Sequence, residues 1–274
     1  MNLRPARSCT STSPETSTFN SPPGTLYGIG VGPGDPELIT VKALKRLQAA
    51  PVVAFPAGLK GRAGVAERII SPWLSDRQIR LPLTFPYVLD PQTLEIAWRQ
   101  AAETVWPYLQ SGDVVFACEG DASFYGTFTY LAQHLRLRHP EVEVAAIAGV
   151  SSPMAAAAAL GIPLTCQAER LAILPALYTL DELEATLSRA EVVVLMKVSS
   201  VYPEVWQILA RHKLLARSYV VENATRPNQK VYAGLQTHPA LTLSYFSLLI
   251  VQCKSARIAP LSGTACPPAE EDDG

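Results

Sequence analysis

The chain is poor in the residues that hold metals. Its five cysteines, Cys9, Cys118, Cys166, Cys253 and Cys266, are scattered with no C-x-x-C spacing. Its four histidines, His134, His139, His212 and His238, fall in or beside polar stretches, none at ligand spacing from a cysteine or aspartate. No metal site is expected from such a set. No signal-peptide pattern opens the sequence, so free thiols in a reducing cytoplasm are expected. A charge excess of either sign is also missing. Lys and Arg total 23 against 24 Asp and Glu, a net charge of −1. That leaves no electrostatic footprint for nucleic acid. No apolar run reaches membrane-spanning length; "AGVSSPMAAAAALGIPL" is rich in small residues and broken by prolines. No internal repeat of roughly 20–50 residues is visible.

A phosphate cradle is missing too, although one stretch invites the idea. "YGIGVGPGDPELIT" runs from Tyr27 to Thr40, with glycines placed directly behind a strand-like run. A dinucleotide fingerprint needs G-x-G-x-x-G. Counting from Gly28 the sixth position is Pro33, and from Gly30 it is Asp35. A P-loop ends in Gly-Lys-Ser/Thr, whereas this loop ends in Gly34-Asp35-Pro36, where an acid repels phosphate.

What is present is a large apolar fraction, 48% of 274 residues, enough for one large domain or two small ones. Residues 1–23 are rich in Ser, Thr and Pro and read as a disordered extension, as does the acidic tail over 257–274. From Gly24 to Ala148 strand and helix signals alternate. "TLYGIGVG", "PVVAFP", "DVVFACEG" and "VEVAAIAG" read as strands. "PELITVKALKRLQAA" reads as a helix with Leu38, Val41, Leu44 and Leu47 on one face. "GVAERIISPWL", "TLEIAWRQAAETVWPYLQSG" and "SFYGTFTYLAQHLRLR" read as further helices. Such alternation predicts an α/β, doubly wound parallel sheet. Over residues 149–256 the texture changes: one small-residue helix, then five strand-like runs with fewer helices between them. That predicts a second, mixed α+β domain, with the ligand cleft between the two.

Two more loops repeat the strand–loop–helix arrangement of the first. They are "EGDASFYG", Glu119 to Gly126, and "GVSS", Gly149 to Ser152. In an open α/β sheet ligands sit beyond the carboxyl ends of the strands, so all three loops face one side. Each has a plain alternative. Gly-Pro-Gly-Asp makes tight turns, and Asp121, Ser151 or Ser152 suits the N-cap of the next helix.

With these motifs in this order, the sequence resembles the tetrapyrrole methylase family over Gly24 to Lys254. The family's opening pattern is similar to "GIGVGPGDPELITVKAL". Its second motif, usually Gly-Asp-Pro with a Tyr-Gly a little later, stands here as Gly120-Asp121-Ala122 and Tyr125-Gly126. "VVLMKV", "VENAT" and "YFSLLIVQ" look most like the branch of precorrin-2 C20-methyltransferases of cobalamin synthesis. The resemblance implies S-adenosylmethionine as methyl donor, giving precorrin-3A and S-adenosylhomocysteine. It implies cofactor contacts at Pro33, Gly120, Asp121, Phe124, Tyr125, Ser151, Ser152, Met196, Ala224 and Thr225. It also implies that the first glycine loop lets substrate and sulfonium approach the backbone.

Methyl transfer from a sulfonium to an electron-rich meso carbon needs alignment more than activation. No triad is expected; Asp35 and Glu119 are candidate proton acceptors by position alone. A substrate rimmed by carboxylates calls for cations. Lys60, Arg62, Arg80, Arg170 and Arg226 lie in or near loops, and some of them are expected at the mouth. The family implies a tetrapyrrole as partner, a homodimer, and neither membrane nor nucleic acid. Alternatives are the cobalt complex of the same substrate, a uroporphyrinogen III methylase, a diphthine synthase, and a non-catalytic nucleotide-binding regulatory module.

Overall fold

A computed structural model of the chain describes residues 22–58, 62–86, 88, 90–175 and 182–254. Lys60 and almost all of the expected extension and tail lie outside the described residues. The first sheet comprises β1 (Leu26–Gly30), β2 (Val52–Pro56), β3 (Ile79–Leu83), β4 (Val114–Cys118) and β5 (Val144–Ile147). Its order is β3-β2-β4-β1-β5 and every pairing is parallel. The helices of this half are α1 (Val41–Ala49), α2 (Val65–Ile70), α3 (Pro91–Leu109) and α4 (Phe128–Arg138).

Strand β4 explains why the sheet carries helices on both faces. All five of its residues are buried. Side chains alternate across a strand. Val114, Phe116 and Cys118 therefore join Ala101, Val105, Leu131 and Leu135 of α3 and α4. Val115 and Ala117 join Leu47, Ala66 and Ile70 of α1 and α2 on the other side. Burying one such Val, Leu or Phe side chain contributes about 1.5–3 kcal/mol, so the run "VVFAC" commits this strand to the centre.

The second sheet comprises β6 (Leu171–Pro175), β7 (Val192–Met196), β8 (Ser218–Glu222), β9 (Lys230–Ala233) and β10 (Ser247–Gln252). Its order is β6-β7-β10-β8-β9. β6 and β7 are parallel, while β10 runs antiparallel to both β7 and β8, and β9 antiparallel to β8. Helix α5 (Ser152–Leu160) covers one face through Ala156 and Ala157. Helices α6 (Leu183–Arg189) and α7 (Tyr202–Arg211) cover the other. The mixed α/β architecture expected from the sequence is the one observed.

Two local expectations change. The helix expected from Pro36 is split. A single 3-10 turn spans Pro36–Leu38, Ile39 is extended, and α1 begins after Thr40. Two caps in close succession cause the break. The Asp35 carboxylate accepts the Glu37 N–H at 2.9 Å and the Thr40 hydroxyl accepts the Ala43 N–H at 3.3 Å. Val41 consequently faces solvent, 68% exposed, while Ala43 and Leu47 form the buried stripe. Helix α4 likewise starts at Phe128, not Ser123. The residues before it form the loop that matters most for the cleft. Among the described residues, no helix is long and apolar enough to cross a membrane.

Candidate active site

Parallel pairing places the carboxyl ends of β1, β2 and β4 along one edge, and their loops meet there. The glycines decide how closely. Gly32 and Gly120 exchange both backbone hydrogen bonds, at 3.1 and 2.8 Å. A Cβ on Gly30 would lie 2.6 Å from the Gly149 backbone, and one on Gly149 would lie 2.4 Å from the Gly120 carbonyl oxygen. The three motif loops therefore pack backbone on backbone, a contact that any side chain would prevent.

Asp121 ties these loops together. One carboxylate oxygen accepts the Ser123 N–H at 2.8 Å and the Ser123 hydroxyl; the other accepts the Gly149 N–H at 2.7 Å. Burial works against its ionisation, but these hydrogen bonds outweigh it and hold the carboxyl below the usual aspartate range. It does not cap α4, whose N-cap is Thr127. Ser151 sits at the N-cap of α5 without a capping hydrogen bond from its side chain.

The second sheet closes over the first loop. A Cβ on Gly34 would meet Arg226 Cγ at 2.4 Å and the Ala224 carbonyl oxygen at 2.9 Å. The Arg226 guanidinium donates to the Pro33 carbonyl at 3.1 Å and lies 4.1 Å over the Phe246 ring. The Thr225 hydroxyl accepts the Asp35 N–H at 3.1 Å. On the far side of the cleft, the Tyr125 hydroxyl donates to the Ile173 carbonyl at 3.3 Å. Among the described residues, six non-glycine residues have positive φ; four of them, Tyr125, Lys197, Asn223 and Thr225, stand in the loops around this cleft. Such conformations cost about 1–3 kcal/mol each and persist where surrounding packing imposes them, which is typical of binding sites.

The cavity so enclosed holds about 920 Å³. Pro33, Gly120, Asp121, Phe124, Tyr125, Ser151, Ser152, Met196 and Ala224 all line it, and the sequence singled out each of them. Glu119 and Arg226 line it too. Burial raises the Glu119 carboxyl above its ordinary range, against the pull of Arg226, the Ala66 N–H and Arg68. Burial lowers the Lys197 amine. At Gly120, whose φ is +69°, a Cβ would find no protein atom nearer than 3.9 Å. Its missing side chain thus leaves open space at the cavity wall.

Other expected residues stand elsewhere. Thr225 and Asp35 hold the inter-sheet contact behind Pro33 and do not line the cavity. The Asp35 carboxylate is used as a helix cap. Arg62 is exposed in the segment after β2, on the cleft side. Arg80 and Arg170 lie at the amino ends of β3 and β6, a strand's length from the cleft. Arg170 is held there by a bidentate pair with Glu191. The first glycine loop also differs from its expected role. Space beside Gly30 and Gly34 is filled by protein, not left for a ligand.

Sequence reasoning did not find the aromatic wall. Phe85, Trp98, Tyr130 and Phe246 line the cavity from four separate segments. Trp98 on α3 and Tyr130 on α4 stack in parallel, with ring centroids 4.1 Å apart and planes 7° apart. Nothing in the spacing of these residues announces that their helices are neighbours.

A two-domain α/β fold with its cleft at the carboxyl ends of the strands is what this geometry defines. The family profile of Tetrapyrrole (Corrin/Porphyrin) Methylases matches residues 25–238, and the chain belongs to that family. It is 33% identical over 250 residues to the cobalamin biosynthesis protein CobIJ of Mycobacterium tuberculosis, covering 88% of this chain and 48% of that protein. The chain thus spans about half the length of that relative. It is 34% identical over 237 residues to a precorrin-2 C(20)-methyltransferase of a Sinorhizobium species, covering 83% of this chain and 95% of the other. The fold matches the crystal structure of uroporphyrin-III C-methyl transferase from Thermus thermophilus complexed with S-adenyl homocysteine. The TM-score is 0.59 at 23% identity, covering 83% of this chain and 97% of that one.

Proposed function

We propose that the chain is an S-adenosylmethionine-dependent C-methyltransferase acting at C20 of precorrin-2 in cobalamin biosynthesis. The observation that carries this reading is that all three motif loops open into one cavity of about 920 Å³. The near full-length match to the Sinorhizobium relative supports the choice of carbon.

The residues suit the donor. S-adenosylmethionine supplies a methyl group already activated on a sulfonium. Gly120 offers backbone with no side chain in front of it, and Pro33, Met196 and Ala224 offer apolar wall. Asp121 ties the second loop, which carries Gly120, to the third and acts as a positioning residue. Alignment of this kind is worth up to about 7–11 kcal/mol when two reacting groups are well held. Of the two carboxylates at the cavity wall, we assign Glu119 as the acceptor of the proton that leaves the alkylated carbon, since burial raises its pKa while hydrogen bonds hold that of Asp121 low. Arg226 and Lys197 are the wall cations able to meet substrate carboxylates, with Arg62 at the approach.

We further propose a homodimer working in the cytoplasm; a sedimentation mass of one chain at working concentration overturns the dimer. The function is tested in two measurements. Calorimetry with S-adenosylhomocysteine is expected to give one site per chain. Incubation with a labelled methyl donor and either metal-free precorrin-2 or its cobalt complex, followed by NMR, locates the new carbon. A methyl on C20 is expected, and the better of the two substrates fixes the metal state. A methyl on another carbon overturns the regiochemistry. Nucleotide binding without any transfer would make the chain a regulatory module.

A further inference from the structure

The helix pair does not depend on the stack of Trp98 on Tyr130 alone. Helices α3 and α4 are already joined by Ala101, Ala102, Val105, Leu131 and Leu135, all buried. Yet Tyr130 remains 44% exposed while its ring lies flat against Trp98. His134, one turn along α4, leans on the same indole at 6.0 Å and contacts Glu95 at 3.4 Å. Both rings line the main cavity.

Volume and charge say what this wall is for. About 920 Å³ stands at the upper end of the range of about 300–1,000 Å³ for small-ligand pockets. The charged side chains at the described wall cancel, Glu119 and Asp121 against Arg226 and Lys197. Beyond local pairing with Arg226 and Lys197, a wall with as many acids as cations offers a polycarboxylate little net attraction, so its ring faces are left to supply contact of their own. Accepting the methyltransferase reading, we propose that the Trp98–Tyr130 stack is the shelf on which one face of the tetrapyrrole rests, and the element that selects a broad π-rich macrocycle. Aromatic pairs favour offset stacking, and a third layer on a preformed pair orders no new side chain.

The test uses the full chain and uroporphyrin, a stable tetrapyrrole, as the binding probe. Tyr130→Leu is expected to weaken uroporphyrin binding and raise the KM for precorrin-2 roughly 2- to 12-fold. The affinity for S-adenosylhomocysteine, read by calorimetry, stays as in the parent, and kcat falls less than KM rises. Tyr130→Phe, which keeps the ring, recovers the lost affinity. Trp98→Phe is expected to remove most of the quenching of indole emission by uroporphyrin. A Tyr130→Leu chain that binds S-adenosylhomocysteine normally and shows an unchanged KM overturns the shelf. Equal losses for both ligands also overturn it, since they mark a helix-packing role. A parent chain that neither binds S-adenosylhomocysteine nor transfers methyl overturns the function itself, an outcome separate from either.

Discussion

A carboxylate oxygen of Asp121 accepts the backbone N–H of Gly149 at 2.7 Å, across 28 residues of sequence. The bond joins the second motif loop to the third, beside the Gly30–Gly149 contact that joins the third to the first. Removing it alters the shape of the cleft before it alters the sheet.

Asp121→Asn tests this. One amide oxygen can still serve Ser123, but the other position becomes an NH₂ facing the Gly149 N–H, donor against donor. A hydrogen bond to a charged group is worth about 1.5–3 kcal/mol. Affinity for S-adenosylhomocysteine is expected to fall roughly 10- to 150-fold. Tm should fall by at most roughly 3–12 °C, at about 2–4 °C per kcal/mol for a chain of this size, and by less where the loops relax without unfolding the strands. Unchanged calorimetric affinity removes Asp121 from the site.

Gly149→Ala is expected to damage stability and binding together. The new Cβ would stand 2.4 Å from the Gly120 carbonyl oxygen and 2.6 Å from Gly30 backbone atoms, none of which can swing aside. Overpacking of this kind costs about 1–3 kcal/mol, a drop of roughly 2–12 °C in Tm. Gly126→Ala is the comparison, since its Cβ meets nothing nearer than 3.3 Å. Equal Tm values for the two variants would show that the glycine contact is slack.

Much of this was legible in advance, and the reason is local. The β4 run "VVFAC" and the strands of the second half carry their burial in consecutive residues. The loops follow strands, so their side of the sheet follows from chain direction alone. What was not legible depends on distance in sequence. Arg80, Arg170 and Arg226 all sit near loops, but only the fold reveals that the first two are at the wrong ends of their strands. Trp98 and Tyr130 meet only because α3 packs on α4. The break before α1 is not legible because the apolar spacing of Leu38, Val41 and Leu44 runs straight through two caps.

Glu119→Gln separates catalysis from stability by pH. The folded-state pKa of Glu119 is raised, chiefly by burial. A raised carboxyl contributes stability that is fully present below its unfolded pKa of about 4.3 and lost as pH rises through the folded value. Glutamine carries no such penalty. Relative to the parent, the variant should gain stability as pH climbs from the unfolded pKa through the folded value, level off above it, and show no pH-dependent difference below about pH 4. Activity should move the other way, with kcat down about 100-fold or more if Glu119 accepts the proton. A variant equal to the parent in kcat assigns Glu119 to structure alone.

Ala122→Pro addresses the one position where the second motif departs from its family pattern. The Phe124 N–H donates to the Asp121 carbonyl at 3.3 Å, which closes a turn with Ala122 at its second position. Proline is favoured there because its ring presets φ near −65°. Ala122 is 1% exposed, so the larger ring needs room. Room exists: Ala122 borders a small hollow of about 260 Å³, shared with Phe128, Ala132 and Ala146. It does not line the main cavity. The variant should be stabilised by about 0.4–1 kcal/mol through the unfolded chain, a rise of roughly 1–4 °C in Tm. Affinity for S-adenosylhomocysteine should stay within a few fold. A chain that binds cofactor but transfers no methyl places Ala122 against the substrate. A chain that unfolds means that the turn does not accept a fixed φ at this position, and the geometry assigned around Asp121 falls with it.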